Sequence, residues 1–212
     1  MPLAGLDTAN VESLRAFTNV IEEYAPALRA YLSQVFQLDD SECASLLQCL
    51  MGQEFLRALA ERPTQDSGGF RKCIVVYLNH VVARDMHHDA RVDPRSASLA
   101  FAREWIRTSI YLAIERTHAE CRGRGRQDVL AVFQLRLLAS ALGKPSIPYS
   151  DLVRHYPFST PAQVADALIT ARHIFSTALR EVIAHYEFEE VGIDREISDF
   201  CNCLNTGPAL LA

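Results

Sequence analysis

Apolar residues in this chain recur at spacings of three and four almost from end to end, and that period admits helices and little else. Between Val11 and Phe36 the stripe is Leu14, Phe17, Val20, Ile21, Tyr24, Leu28, Tyr31, Leu32 and Val35, with Pro26 set to kink or break it. A second stripe of Cys43, Leu46, Leu47, Leu50, Met51, Phe55, Leu56 and Leu59 follows the capping segment Leu38–Glu42, and its helix should end near Arg62-Pro63. Phe70, Ile74, Tyr77, Leu78 and Val81 begin a third helix reaching towards Arg91. Arg71, Lys72, His80 and Arg84 lie on or near its polar faces. Ile74–Tyr77 would suit a strand by propensity, but the longer helical pattern around it decides for helix.

The polar stretch Asp85–Ser98, which contains Pro94, is expected to separate two parts of the chain. Beyond it Leu99–Cys121 is a helix with Trp105, Ile106, Ile110, Tyr111 and Ile114 turned inward. Arg122-Gly123-Arg124-Gly125-Arg126 is a basic turn, either a phosphate clamp or a solvated connection, and a further helix runs from Gln127 towards Leu142 until Gly143-Lys144-Pro145 stops it. The expected fold is all-α: two small helical domains, 8–92 and 99–187, joined by a linker at 93–98, with an acidic tail over 188–212.

Length and composition support that division. At 212 residues and 49% hydrophobic, the chain can bury a core in each part without metal or disulfide staples, and no apolar run approaches the roughly 18 residues of a membrane span. Met1–Asn10 has no secretory pattern, so the expected compartment is cytoplasmic and the six cysteines are expected to be reduced. Charge is unevenly placed: residues 1–61 carry −6, residues 62–180 carry +7 and residues 181–212 carry −6. A basic middle between acidic ends fits a nucleic-acid surface, and it also fits helix faces that merely meet solvent.

Pro148–Tyr156 reads as a short amphipathic helix, and Pro157-Phe158-Ser159-Thr160-Pro161 supplies a turn, a capping hydroxyl and a proline suited to a first helical position. A long helix follows to about Tyr186, apolar at Val164, Leu168, Ala171, Phe175, Leu179, Val182 and Ile183. Gln163, Asp166, Thr170, Arg172, His173, Thr177 and Arg180 fall away from that stripe. A short helix, tight turn and capped second helix is the geometry that places a helix in the major groove, although any helical hairpin shares it.

These segments, in this order, resemble bacterial sigma factors of the sigma-70 family, extracytoplasmic-function type, over about residues 14–204. Leu38–Met51, with Leu46 and Gln48, resembles that family's acidic second helix, and Gly69-Phe70-Arg71 with the helix after it resembles its promoter-opening helix. Tyr149-Ser150-Asp151-Leu152 and Thr160-Pro161-Ala162-Gln163 with Leu168–Phe175 resemble its C-terminal helix-turn-helix. The resemblance implies core RNA polymerase and promoter DNA as partners, an anti-sigma protein as a third, and no cofactor. Polymerase contact would fall on Glu42, Ser45, Gln48 and Cys49. The opened strand would meet Arg71, Lys72, Tyr77, His80, Arg84, His87 and His88, where cations hold phosphates and an aromatic stacks on a base. Duplex contact would fall on Ser159, Thr160, Gln163, Asp166, Thr170, Arg172, His173 and Arg180, with glutamine suited to adenine and arginine to guanine or phosphate.

Three features run against the pattern. Ser45 and Cys49 stand where relatives commonly carry acids, Asp166 lies on the face that should meet phosphate, and residues 145–187 hold three Arg against four Asp/Glu. A sigma-like module that binds a protein partner without reading DNA, and a purely structural bundle, are the rival expectations. His87-His88 between Asp85 and Asp89 suits a solvated surface better than a metal, since adjacent histidines face different ways on a helix. Cys201-Asn202-Cys203 lacks a second ligand pair. No phosphate loop, zinc-protease helix or nucleophile elbow occurs, so an enzyme is not expected.

Overall fold

The computed structural model describes residues 18–52, 55, 69–86, 94–141, 144–187 and 189–206. These residues form helices and turns with no strand among them, so the fold class is all-α. After helical residues 18–23, the chain runs through α1 (Ala25–Phe36), α2 (Asp40–Leu50), α3 (Gly69–Val81), α4 (Pro94–Gly123), α5 (Gln127–Val132), α6 (Tyr149–His155), α7 (Pro161–Ile183) and α8 (Glu190–Thr206). Wider π turns extend α3 over Val82–Met86 and α5 over Phe133–Leu138.

Local chemistry sets the helix starts. Tyr24 breaks the first stripe with φ −97° and ψ 6°, and Pro26 falls in the first turn of α1, where its missing N–H removes no helical bond. Asp39 caps α2: its carboxylate accepts from Ser41 N–H at 2.8 Å and Glu42 N–H at 2.9 Å, while Glu42 accepts from Asp39 N–H at 2.9 Å. Such a reciprocal cap contributes about 1 kcal/mol. The second helix was expected to run to near Pro63; α2 stops at Leu50 with Met51 as its C-cap, ahead of Gly52, Phe55 is helical again, and the remainder of that stretch lies outside the described residues. Ile74–Tyr77, strand-like by propensity alone, is helical as the longer pattern around it indicated.

The chain divides into two compact units. The first comprises residues 1–108 and 184–196, the second residues 109–183 and 197–212. Both expected boundaries differ. Residues 94–98, expected as linker, are the first turns of α4, because proline at a first helical position is preorganised for the helix it opens. Phe101 and Trp105, expected in the second domain, are buried in the first unit. The segment after Ala184, expected as the end of that domain and an acidic tail, supplies the first unit with Tyr186, Ile193 and Glu196.

The first unit is organised around stacked aromatics. Tyr24 lies flat on Trp105 with centroids 3.8 Å apart, Tyr186 meets both edge-on at 5.6 and 5.4 Å, and Phe70 and Phe101 close the group. Leu28, Leu32, Leu50, Ile74, Leu78 and Ile106 complete the buried interior.

The second unit packs Cys121 of α4 and Val129, Leu130, Val132 and Phe133 of α5 against Leu152 of α6, Phe158 of the turn, and Val164, Ala167 and Ala171 of α7. The basic turn owes Gly125 to helix termination. Gly125, at φ +65°, donates to Arg122 O at 3.1 Å while Arg126 N–H reaches Cys121 O at 2.8 Å, the paired bonds that close a helix C-terminus on a left-handed residue. Among the described residues the cysteines are free thiols. Burial pushes Cys43 and Cys121 above the usual thiol range, as expected of packing groups.

Candidate nucleic-acid interface

In the second unit, α6 and α7 are joined by residues 156–160. Buried Phe158 pins that turn to the core, and its N–H donates to Tyr156 O at 2.7 Å. At the start of α7, Gln163 N–H donates to Thr160 Oγ1 at 3.3 Å, and Gln163 Oε1 accepts from Ser159 N–H at 2.6 Å. Gln163 is therefore a capping residue as well as a surface one. With one oxygen lone pair committed to the backbone, it is a poorer bidentate partner for adenine than the sequence suggested, and its amide N–H₂ is the group left to donate.

The outward face of α7 follows from its 100° step per residue. Ala162, Asp166, Ile169, His173 and Ser176 lie along its exposed line, and Ile169 is 65% exposed. Gln163 and half-buried Thr170 border this line on one side and exposed Arg172 on the other. Thr170 Oγ1 donates to Asp166 O at 3.0 Å. Arg180, nearer the C-terminal end, is half-buried. The expected duplex-contacting residues thus share one stretch of helix, with Ser159 and Thr160 exposed at its start.

A groove of about 300 Å³ opens along the Gln163–Thr170 border. Arg126 and Asp128 line its far side, with Phe158, Gln163, Asp166 and Thr170 opposite. Sequence reasoning left Arg126 in an interhelical turn and did not place it here, because its approach to α7 is a tertiary contact. Ile169 was also passed over as a contact, although its absence from the core stripe could have marked it. An outward apolar side chain beside polar readers can meet a thymine methyl.

The first unit holds the other two predicted sets. On α3, exposed Lys72, Val76, Asn79, His80 and Ala83 form one stripe, and exposed Arg84 follows in the π turn. Arg71 and Tyr77 fall outside it. Tyr77 packs edge-on against Phe55 at 4.6 Å, and Arg71 is drawn inward by Glu196. Arg71 was expected on the opened strand. Instead its Nε lies 2.5 Å from one Glu196 oxygen and its Nη2 donates to the other at 2.8 Å. Its side chain is 14% exposed, so in this structure it is not presented to phosphate. His87 and His88 lie outside the described residues. On α2, Ser45, Gln48 and Cys49 are exposed on one face. Glu42 is half-buried and engaged in the Asp39 cap.

Arg71 and Glu196 belong to a buried polar group. Tyr186 Oη donates to Glu196 at 3.0 Å, and Glu187 accepts from Phe70 N–H at 2.7 Å at the first turn of α3. Gly69 has φ +60°, which favours glycine, and a Cβ there would lie 2.8 Å from Glu187 Oε1 and push that carboxylate off the Phe70 amide. Burial raises Glu196 above the usual carboxylate range, with Arg71 and Tyr186 opposing that rise. Burial likewise pushes Tyr186 well above the usual phenol range.

Among the described residues no three histidines, cysteines or acids gather where they could hold a metal, and no helix is long and apolar enough to cross a membrane. Comparison with protein-family models, curated proteins and solved structures returns no match.

Proposed function

We propose that the chain is a sigma-like transcription initiation factor of the bacterial cytoplasm, which binds core RNA polymerase and directs it to promoter DNA without covalent chemistry of its own. The observation that carries this reading is the arrangement of α6 and α7. A short helix and a five-residue turn anchored by Phe158 present a capped helix whose N-terminal half is open to solvent along Asp166, Ile169 and His173. On this reading α6 and α7 are the two helices of a helix-turn-helix, and α7 is its reading helix. The Lys72–His80 stripe of α3 supplies cations for the opened strand, and the Ser45–Gln48–Cys49 face of α2 meets polymerase.

Co-purification with core polymerase and run-off transcription from a promoter library test this together. Binding with transcripts from a defined subset of promoters is expected, and failure to bind polymerase refutes it. Arg172, exposed and without an ion pair among the described residues, is the phosphate ligand on the second border of α7. Arg172→Ala should weaken duplex binding across all sequences and lower the salt-dependence slope by about 1. Salt titrations of duplex affinity measure both, and an unchanged slope removes Arg172 from the interface.

A second reading is a sigma-like module that binds its protein partner but has lost promoter reading. The engagement of Arg71 by Glu196 favours it, as do the acids beside Arg124, Arg126 and Arg154, which lie 2.6, 3.6 and 4.0 Å from Glu120, Asp128 and Asp151. Polymerase binding with no transcript from any promoter would select this reading.

A further inference from the structure

Asp166 is the residue of α7 that the proposed function leaves unexplained. A carboxylate on the outward line of a DNA-reading helix repels phosphate, yet no described side chain engages it. Among the described residues its side chain makes no hydrogen bond or ion pair, and its neighbour Thr170 bonds to its backbone oxygen instead. It opens onto the groove shared with Arg126, Asp128 and Gln163.

Resting on the reading of α7 as a promoter-reading helix, we propose that Asp166 is a specificity residue that selects a cytosine in the major groove of the duplex element. An ionised carboxylate only accepts hydrogen bonds. Of the groups a base pair shows in that groove, guanine N7 and O6 and thymine O4 also only accept, so they repel it. The donors are the amino groups of cytosine N4 and adenine N6. Adenine N6 has the acceptor N7 beside it, which a second carboxylate oxygen would meet unfavourably, whereas cytosine N4 is flanked by a carbon-bound hydrogen. The carboxylate therefore prefers cytosine over all three alternatives.

The surroundings fit the same base pair. Gln163 sits three residues earlier and lines the same groove, its oxygen tied to Ser159 N–H and its amide N–H₂ left to donate. A donor beside an acceptor matches guanine O6 or N7 next to the paired cytosine's N4. Arg126, across the groove, offers a compensating cation where Asp166 must approach a polyanion. Its Nε stands 3.6 Å from Asp128, an ion pair that offsets part of that charge.

The test is selection from a duplex library randomised over the upstream promoter element, using the full chain bound to bacterial core RNA polymerase. Asp166→Ala and Asp166→Asn are compared with the wild type. The wild type should enrich cytosine at one position about fivefold or more, and Asp166→Ala should lose that preference at that position alone. Asp166→Asn should move it to adenine, since an amide pairs with N6 and N7 together. If both variants keep the wild-type preference, and Asp166→Ala merely binds every duplex more tightly, Asp166 is only a repelling surface charge and the inference fails while the function stands. If the wild type binds polymerase and enriches no sequence, promoter reading itself is refuted and this inference falls with it.

Discussion

Glu196→Ala should destabilise the chain by about 3–5 kcal/mol, the usual consequence of removing one partner from a buried ion pair. The effect does not come from the pair's own net strength, which desolvation of both groups largely cancels. It comes from what remains: Arg71, 14% exposed, would lose the carboxylate that holds its Nε and Nη2, and Tyr186 Oη would lose its acceptor. Chemical denaturation followed by circular dichroism measures the loss, and a change under 1 kcal/mol would show that water or a neighbour takes over the arginine. The same carboxyl gives a second readout. Burial raises its folded value above the ordinary 4.5, so the folded state holds the proton to higher pH than the unfolded chain does. The stabilisation from that proton is complete below pH 4.5 and is lost as pH rises through the folded value. Glu196→Gln, which cannot titrate, should remove this slope while keeping an acceptor near Arg71 and Tyr186.

That buried group also shows where the sequence stops being legible. Helix type was readable throughout because period is a local property. Leu28, Tyr31, Leu32 and Val35 announce their burial by spacing alone, and so do Val164, Ala171 and Val182. The cap at Asp39 and the turn at Pro157–Pro161 were equally local. What the pattern could not carry is which element a polar residue meets 125 positions further along the chain. Arg71 reads as one more cation on a basic helix until Glu196 stands beside it, and the segment after Ala184 reads as the end of the second domain and an acidic tail until Tyr186 lies against Trp105.

The same limit applies to the candidate interface. Position on α7 follows from the 3.6-residue period, so the outward line of Asp166, Ile169 and His173 was readable. The groove with Arg126 depends on how α5 and the turn before it pack, and it was not. The two π turns are a further case. An extra residue per turn rotates everything after it, and neither Val82–Met86 nor Phe133–Leu138 carries a proline or glycine to signal it.

Trp105→Ala should cost about 3–5 kcal/mol, comparable to the loss at Glu196 but reached by a different route. Trp105 is fully buried and touches Tyr24, Phe70, Phe101 and Tyr186, so its removal leaves a void bounded by four other rings. Flat and edge-on ring contacts are specific in direction, and those rings cannot refill the space without losing their own geometry. Trp105→Phe keeps part of the stack on Tyr24 and should cost well under half as much. Because Tyr186 leads directly into Glu187, which holds the Phe70 amide at the start of α3, loosening the cluster should reach the Lys72–His80 stripe before the rest of the unit. Hydrogen exchange at mild denaturant in Trp105→Ala should therefore speed up first at Phe70–Ile74 and at residues 184–196. Denaturation measures the free-energy loss, and uniform acceleration across α1, α2 and α3 would mean that the aromatic cluster supports the whole unit rather than the seat of α3.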